Sequence, residues 1–348
     1  MKIDWKAFLE EAGAELADDR VLHFGNPVRE RKVALNGLVF ADLGHLGVIA
    51  VHGTDAESFL QSQLGNDVGL VSESASQVSS YSTPKGRMRG LWRLFRQGDT
   101  WYLRLPEDTL EAVIQRLRMF VMRADVTLED VSDNFIAIGV SGEQAGEELT
   151  AVTGSLPGAV DEVTRAADYT LLRVPGIQPR YEVYISSREA AQRVWDSLNV
   201  HGAPVGESVW RLLEIYAGIP TIFAATSELF VAQMANLQLL NGVSFKKGCY
   251  PGQEIVARMQ YLGTLKRRMY LGVIDTDQPV NPGDSLFGSD NSEQAIGRIV
   301  DAQPHPDDGQ AALAVLQIKS AESGDLHLGS AEGPVMVLES LPYEFGDD

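Results

Sequence analysis

The chain has a single cysteine, Cys249, in 348 residues, and this count limits how the fold can be stabilised. One thiol cannot form an intramolecular disulfide, and iron–sulfur or structural zinc sites normally need several Cys or His ligands. We therefore expect no permanently bound metal, and the cysteine usage fits a reducing cytoplasm. The fold must come from buried apolar cores. A chain of 348 residues exceeds one ordinary core, so two or three domains are expected.

The cysteine stands in a segment rich in glycine and proline, the octapeptide Lys247-Gly248-Cys249-Tyr250-Pro251-Gly252-Gln253-Glu254. The glycines and the proline predict a turn that presents the thiol to solvent. Lys246 and Lys247 favour the thiolate, the form that attacks electrophiles or binds soft metals. The alternative is that Cys249 packs in a core as a small hydrophobic side chain, as free cysteines often do.

The charge of the chain excludes some classes of partner. A net charge of −19, from 29 basic and 48 acidic residues, opposes nonspecific binding to nucleic acid or to an anionic membrane. The N-terminus carries acids where an export signal has its apolar core, and no apolar run approaches the roughly 20 residues of a membrane span. We therefore expect a cytoplasmic protein without nucleic-acid or membrane partners.

Two segments depart from this acidic balance. Between Lys85 and Arg96 the chain has five basic residues and no acid. Between Lys246 and Arg268 it has six basic residues and one acid, Glu254. Such segments suggest a site for a small ligand with several phosphate or carboxylate groups. The alternative is that both are solvated faces paired with acids elsewhere in the fold.

The hydrophobic pattern predicts an α+β chain. Residues 46–51 and 180–185 have the pattern of strands, 90–105 of a hairpin turning at Gly98-Asp99, and 107–124 of an amphipathic helix. Four short apolar strands with Pro, Gly and Asp turns suggest a small C-terminal β-barrel, at 270–274, 295–300, 311–318 and 334–338. An N-terminal helix with Trp5, Phe8 and Leu9 is expected to pack against the first domain.

The octapeptide, preceded by Asn241-Gly242-Val243-Ser244-Phe245-Lys246, resembles the K-G-C-Y-x-G-Q-E signature of the YgfZ family. That family consists of folate-binding factors of iron–sulfur cluster assembly or repair, related to the glycine-cleavage T-protein, an aminomethyltransferase. Further matches follow in the family's order: Gly53-Thr54-Asp55-Ala56, Phe59-Leu60-Gln61, Asn66-Asp67-Val68, Lys85-Gly86-Arg87-Met88, and Gly218-Ile219-Pro220 after Glu214. The resemblance covers most of residues 35–340.

The resemblance implies a three-domain, T-protein-like ring that binds tetrahydrofolate, polyglutamylated forms included, in a central channel. Residues 1–130 with 206–264 would form a discontinuous folate-binding domain. It would carry the segment 245–254 around Cys249, which we call the cysteine loop. Residues 131–205 would form a second α/β domain, and 265–348 the C-terminal β-barrel. The partners would be folate and iron–sulfur proteins or their assembly machinery.

The resemblance also implies roles for single residues. Cys249 would be the reactive thiol and Lys247 would tune it, while the rest of the signature loop would shape and position it: Gly248, Tyr250, Gly252, Gln253 and Glu254. Glu182, after Tyr181, stands where T-proteins carry a Gly-Tyr-Glu element that contacts the pterin. Further candidate folate ligands are Asn66, Asp67, Glu214 and Arg258. On residue identity alone, Glu182 also fits an outward residue of an alternating strand, and Glu254 a helix start.

The chain departs from the transferase pattern at one place. T-proteins carry an acidic pair after the first glycine of the hairpin, whereas here Gly90 is followed by Leu91-Trp92-Arg93. The missing carboxylate argues against aminomethyl transfer. The first hypothesis is therefore a tetrahydrofolate-binding factor that assembles or repairs clusters of other enzymes through Cys249. The alternatives are a folate-dependent one-carbon transferase acting on a small amine, and a folate-binding module whose cysteine is merely packed.

Overall fold

The structure, a computed structural model, describes residues 2–289 and 294–345 and has the predicted α+β character. The α-helices are α1 Lys2–Glu11, α2 Pro27–Ala34, α3 Ala56–Gln63, α4 Glu107–Val121, α5 Ala145–Thr153, α6 Arg188–His201, α7 Glu207–Tyr216, α8 Gln253–Tyr261 and α9 Ile318–Ser323. The strands are β1 Glu15–Ala17, β2 Arg20–His23, β3 Val39–Asp42, β4 Leu46–His52, β5 Gln77–Ser82, β6 Met88–Gln97, β7 Thr100–Pro106, β8 Thr127–Asp130, β9 Ile136–Ser141, β10 Val163–Ala166, β11 Tyr169–Val174, β12 Arg180–Ile185, β13 Ala203–Val205, β14 Arg267–Ile274, β15 Ser285–Phe287, β16 Gly297–Pro304, β17 Gln310–Gln317, β18 His327–Leu328 and β19 Met336–Glu339. Short 3₁₀ turns lie at Val68–Leu70, Ser132–Asn134, Ala224–Thr226 and Ala232–Ala235.

The first large sheet is antiparallel, with strand order β5-β6-β7-β4-β8. It confirms the predicted strand at 46–51 and the predicted hairpin, in which Gln97 pairs with Thr100 across the turn. Gly98 has a φ of +56°, a conformation that glycine adopts at little cost. Helix α4 covers one face of the sheet with the side chains whose spacing predicted it, Leu110, Val113, Ile114 and Leu117.

The second sheet has strand order β10-β11-β12-β9-β3-β13 and positions Glu182. Strand β12, predicted at 180–185, lies inside the sheet between β11 and β9. Strand β3 belongs to the predicted first domain but pairs with β9 here, and it is parallel to β13. The domain boundaries themselves stay predictions.

The N-terminal helix packs against residues of both the first and the second predicted domain. The ring of Trp5 lies 5.6 Å from that of Trp195 in α6, and Leu9 is buried in the same core, which belongs to the second sheet. The expected contact with the first domain is present as well, because the Trp5 indole donates a hydrogen bond of 2.8 Å to Oδ1 of Asp42 in β3, and Phe40 lies in the same core. An apolar helix face must be buried, but its pattern does not specify the surface that buries it.

The C-terminal sheet is an antiparallel half-barrel with strand order β18-β15-β16-β17-β14-β19. It contains the four predicted strands as β14, β16, β17 and β19. One core joins this sheet to α7, to the first sheet and to the connection before α8; its members include Met88, Leu212, Phe230, Val256 and Val315. This shared core holds residues on both sides of the cysteine loop in the chain, Val243 before it and Val256 after it. No helix within residues 2–289 and 294–345 is long and apolar enough to cross a membrane.

Candidate functional site

The cysteine loop exposes its thiol next to two buried side chains. Cys249 is exposed, whereas Lys247 and Tyr250 are each 8% exposed. The Lys247 ammonium lies 5.3 Å from the centre of the Tyr250 ring. The exposure agrees with the predicted turn and excludes the alternative in which Cys249 is packed in a core. The reactivity of the thiol stays a prediction.

The ammonium group of Lys247 holds the loop from inside. Its Nζ donates hydrogen bonds of 2.7 Å to the carbonyl oxygens of Gln61, Leu64 and Asn66. Three bonds use all the donors of a lysine ammonium. Burial lowers the pKa of Lys247 to about 8, against the opposing effect of Asp67, so the group is still mostly charged at neutral pH. Lys247 therefore anchors the loop, and its effect on the thiol stays a prediction.

Asn66 and Asp67 build the turn that receives this ammonium. The buried Asn66 side chain donates from Nδ2 to the carbonyl oxygens of Val78, at 2.8 Å, and Asn241, at 2.6 Å. Asp67 caps the next 3₁₀ turn, where its Oδ1 accepts a hydrogen bond of 3.2 Å from the Gly69 amide. Both residues thus lie beside the cysteine loop, and their contact with folate stays a prediction.

Two glycines bring the first basic segment against the cysteine loop. Gly252 has a φ of +87°, and a Cβ there would lie 2.7 Å from the Gly86 Cα. Gly86 has a φ of +72°, and a Cβ there would lie 2.9 Å from the Ile255 Cβ. Both positions need glycine for conformation and for close approach. The turn of residues 85–87 is thereby fixed against the start of α8.

The other predicted residues of this region brace the loop or face outward. The Gln253 side chain donates from Nε2 to the Lys247 carbonyl oxygen at 3.4 Å. A Cβ on Gly248 would meet open space. Glu254 and Arg258 are exposed on α8. Arg258 is therefore a surface residue, outside the buried cluster around Glu182.

That cluster lies between the first and second sheets. Glu182 is fully buried, and its Oε2 accepts a hydrogen bond of 2.8 Å from the Tyr184 hydroxyl. The Arg104 guanidinium binds both oxygens of Glu182, and it also donates to Oε1 of Glu214 at 3.2 Å. Burial raises the pKa of Glu182, but the charge of Arg104 outweighs it and holds that pKa below its ordinary value. Arg104 thus links Glu182 and Glu214, two of the predicted folate ligands.

Tyr181 does not join this cluster. Its side chain is 3% exposed and packs in the apolar core on the other face of β12. Successive residues of a strand point to opposite faces, so Tyr181 and Glu182 reach different surroundings.

A cavity borders the charged cluster, and its wall includes Val78, Trp92, Arg104, Arg180, Glu214 and Pro220. Arg180 is buried and stacks on Trp210, with 4.2 Å between the guanidinium carbon and the ring centre. Burial lowers the pKa of Arg180 to about 10, which leaves it charged at neutral pH. Nε and Nη2 of Arg180 and Nε1 of Trp92 are buried without a hydrogen-bond partner among the described residues. The wall therefore combines one carboxylate, that of Glu214, with unsatisfied donors.

The segment that departs from the transferase pattern lies in β6 and also reaches this cavity. Leu91, Trp92 and Arg93 all contribute to the wall. The guanidinium of Arg93 is buried and forms an ion pair of 2.5 Å with Asp161. The segment after Gly90 thus contributes a buried, paired arginine to this wall.

A second cavity extends beyond Glu214, lined by residues that include Arg20, His45, Glu207, Arg211 and Phe223. His45 is 7% exposed, and neither ring nitrogen has a hydrogen-bond partner among the described residues. Burial, with the charges of Arg211, Arg104 and Arg20, holds the pKa of His45 well below its ordinary value. The imidazole is therefore neutral at neutral pH. No sequence signal marked this residue.

The His45→Gln variant is expected to be less sensitive to acid than the wild type. Below about pH 6.5 the unfolded chain binds a proton at His45 that the folded protein does not, so wild-type stability falls with falling pH by up to about 1.4 kcal/mol per unit. Glu207 and Asp301, whose pKa values burial raises, are present in both proteins. Urea unfolding at pH 7, 6 and 5 measures the slopes, with His52→Gln as the control. Equal slopes for wild type and His45→Gln would contradict a neutral buried imidazole.

Comparisons with known proteins agree on the fold and the family. The chain superposes on the glycine cleavage system aminomethyltransferase T from Bartonella henselae with a TM-score of 0.79, over 97% of this chain and 96% of that one, at 19% sequence identity. This likeness confirms the predicted T-protein-like fold. No protein-family model matches the chain.

Curated relatives cover nearly the whole chain. The tRNA-modifying protein YgfZ of Photobacterium profundum is 31% identical over 331 residues, which is 92% of this chain and 98% of the relative. The protein of the same name from Colwellia psychrerythraea is 30% identical over 302 residues, 87% of this chain and 92% of the relative. At this identity and coverage, the chain belongs to the YgfZ family.

Proposed function

We propose that this protein binds tetrahydrofolate and acts in the cytoplasm in the assembly or repair of iron–sulfur clusters of other enzymes, with Cys249 as its reactive thiol. The observation that carries the proposal is the exposed thiol on a loop anchored by the buried Lys247 and Tyr250. A thiol fixed at the surface is available to a group on another protein. A thiolate can bind an iron transiently, or take the outer sulfur of a persulfide donor whose own thiolate then leaves. It can also attack a sulfenic acid to form a mixed disulfide, with hydroxide as the leaving group.

The groups on the wall of the cavity beside Arg104 and Glu214 can pair with those of a pterin. A pterin offers a ring N–H beside an amino group, and a carboxylate such as that of Glu182 or Glu214 binds this pair of donors. The pterin also carries acceptors, and the unpartnered N–H groups of Arg180 and Trp92 are donors on the same wall. When bound, tetrahydrofolate would supply a carrier of one-carbon units.

In this proposal Glu182 would hold the pterin once Arg104 has left its carboxylate. Arg104 and Tyr184 occupy the Glu182 carboxylate in the structure. Arg104 also binds Glu214, so it keeps a carboxylate partner after it leaves Glu182. A buried guanidinium that stays paired avoids the large cost of an isolated buried charge.

The curated relatives carry the name of tRNA-modifying proteins. We propose that this chain contributes to tRNA modification by serving an iron–sulfur enzyme, without binding RNA itself. Its net charge of −19 supports this division, because an acidic protein repels a phosphate backbone.

Iodoacetamide is expected to alkylate Cys249 in the native protein at a rate within about tenfold of the unfolded chain, because the thiol is exposed. Mass spectrometry of samples quenched over time, with and without guanidinium chloride, measures the two rates. The Cys249→Ser variant should show no modification. Protection of the native thiol until unfolding would contradict the proposed role.

A further inference from the structure

The two basic segments of the sequence meet around the cysteine loop, and only part of them is neutralised. Arg89, Arg93 and Arg96 pair with carboxylates, as the alternative of solvated and paired faces predicts. A different set lies around α8 and the start of the half-barrel: Lys85, Arg87, Lys246, Arg258, Lys266, Arg267 and Arg298. Within the described part of the chain, none of this set forms an ion pair with a carboxylate. We call these seven residues the basic surface.

Two guanidinium groups of the basic surface, those of Arg87 and Arg298, act electrostatically on a third, Arg267. Burial, with the charges of Arg87 and Arg298, lowers the pKa of Arg267. Arg87 and Arg298 are tied to backbone carbonyls, those of Leu229 at 2.5 Å and Gly283 at 3.0 Å. Hydrogen bonds to carbonyls fix the two guanidinium groups but do not neutralise them. Like charges held together in this way favour an anionic partner.

Large apolar side chains stand among these cations. Tyr261 is 65% exposed and Leu262 is 86% exposed, at the end of α8. The Phe245 ring, next to Lys246 in the cysteine loop, lies 6.4 Å from the Tyr261 ring. The exposed Cys249 and the exposed apolar end of α8 therefore belong to one region of the surface.

We propose that the basic surface, with Tyr261 and Leu262 at its apolar centre, is the docking surface for an acidic patch of the iron–sulfur protein that Cys249 serves. The identity of this partner rests on the proposed function. Apolar anchors inside a charged rim are the usual anatomy of a protein–protein interface. The complementary charge would steer the partner to the side of the molecule that carries the thiol.

A folded protein fits this surface better than RNA. The basic surface is a small part of a chain whose net charge is −19. A long polyanion such as RNA would extend beyond it and be repelled by the acidic remainder of the protein. An acidic patch on a protein can match the size of the basic surface. An aliphatic side chain as exposed as Leu262 also gains more from an apolar protein contact than from a phosphate backbone.

The test uses a diazirine amino acid at position 262 of the full chain, in cells that hold no other copy of the gene. The matched control carries it at position 122, where Met122 is 88% exposed. Mass spectrometry identifies the crosslinked peptides, and nuclease treatment identifies crosslinked RNA. The same measurement is made in the Lys246→Glu/Lys266→Glu background and in the control background Arg29→Glu/Lys32→Glu, which changes the charge equally at exposed sites on α2.

The expected result is a crosslink from position 262, and not from 122, to a peptide of an iron–sulfur protein rich in Asp and Glu. The crosslink yield should fall about tenfold in the Lys246→Glu/Lys266→Glu background, which corresponds to a loss of about 1.4 kcal/mol of binding free energy. It should stay unchanged in the Arg29→Glu/Lys32→Glu background. The proposal is overturned if no protein crosslinks to position 262 or if RNA crosslinks there instead. It is also overturned if the crosslink yield is the same in both charge-reversal backgrounds as in the wild type. A charge-dependent crosslink to an acidic peptide of a protein without a cluster would keep the docking surface and overturn the proposed function.

Discussion

Tetrahydrofolate should bind the Glu182→Gln variant about 100-fold more weakly than the wild type, because a neutral amide cannot accept both N–H groups of a pterin as a carboxylate does. The variant should also lose about 3 kcal/mol of unfolding free energy, since Arg104 keeps only the contact with Glu214 in a buried setting. Isothermal titration calorimetry under anaerobic conditions measures the first effect and urea unfolding the second.

The control for this variant is Glu254→Gln, which removes an exposed carboxylate near the cysteine loop. It should change neither folate affinity nor stability beyond about 0.5 kcal/mol. If Glu182→Gln is folded and binds tetrahydrofolate as the wild type does, the pterin does not use this carboxylate. The Arg104 cluster would then be a structural ion pair.

Lys247→Met should destabilise the protein by about 3 to 5 kcal/mol. The substitution removes three hydrogen bonds and leaves the carbonyl oxygens of Gln61, Leu64 and Asn66 buried without their donor. Amide hydrogen exchange should become faster in residues 61–66 and 246–252, because these two segments are joined through this ammonium. Urea unfolding gives the loss of stability.

Lys246→Met is the matched control, because Lys246 is exposed at the neighbouring position. It should change stability by no more than about 0.5 kcal/mol. Equal stability of Lys247→Met and the wild type would show that the three carbonyl contacts do not anchor the loop.

Local patterns in the sequence predicted the hairpin, helix α4 and four strands of the half-barrel, because each depends on neighbours a few residues apart. The glycines and the proline likewise predicted that Cys249 is exposed. The alternation of β12 would also have separated Tyr181 from Glu182, since adjacent strand residues face opposite sides. That signal was present but was outweighed by the resemblance to a Gly-Tyr-Glu element.

The charged partners could not be read from the sequence, because distant elements supply them. Lys247 meets carbonyl oxygens more than 180 positions earlier in the chain. Arg104 meets Glu182 from another sheet, and its position in a hairpin strand gave no sign of this. Which cations of the basic segments are paired likewise depends on distant acids, such as Glu228 for Arg89 and Asp161 for Arg93. These are tertiary contacts, and spacing along the chain does not encode them.

The role of Cys249 is tested most directly in cells that lack this gene. The readout is an iron–sulfur enzyme that loses its activity when the gene is absent. The cells receive the wild-type protein or Cys249→Ala at matched expression, and the activity of the iron–sulfur enzyme is measured. Because the thiol is exposed and its removal disturbs no buried contact, both proteins should accumulate equally. Only the wild-type protein is expected to restore the activity. Equal restoration by Cys249→Ala would contradict a role for this thiol.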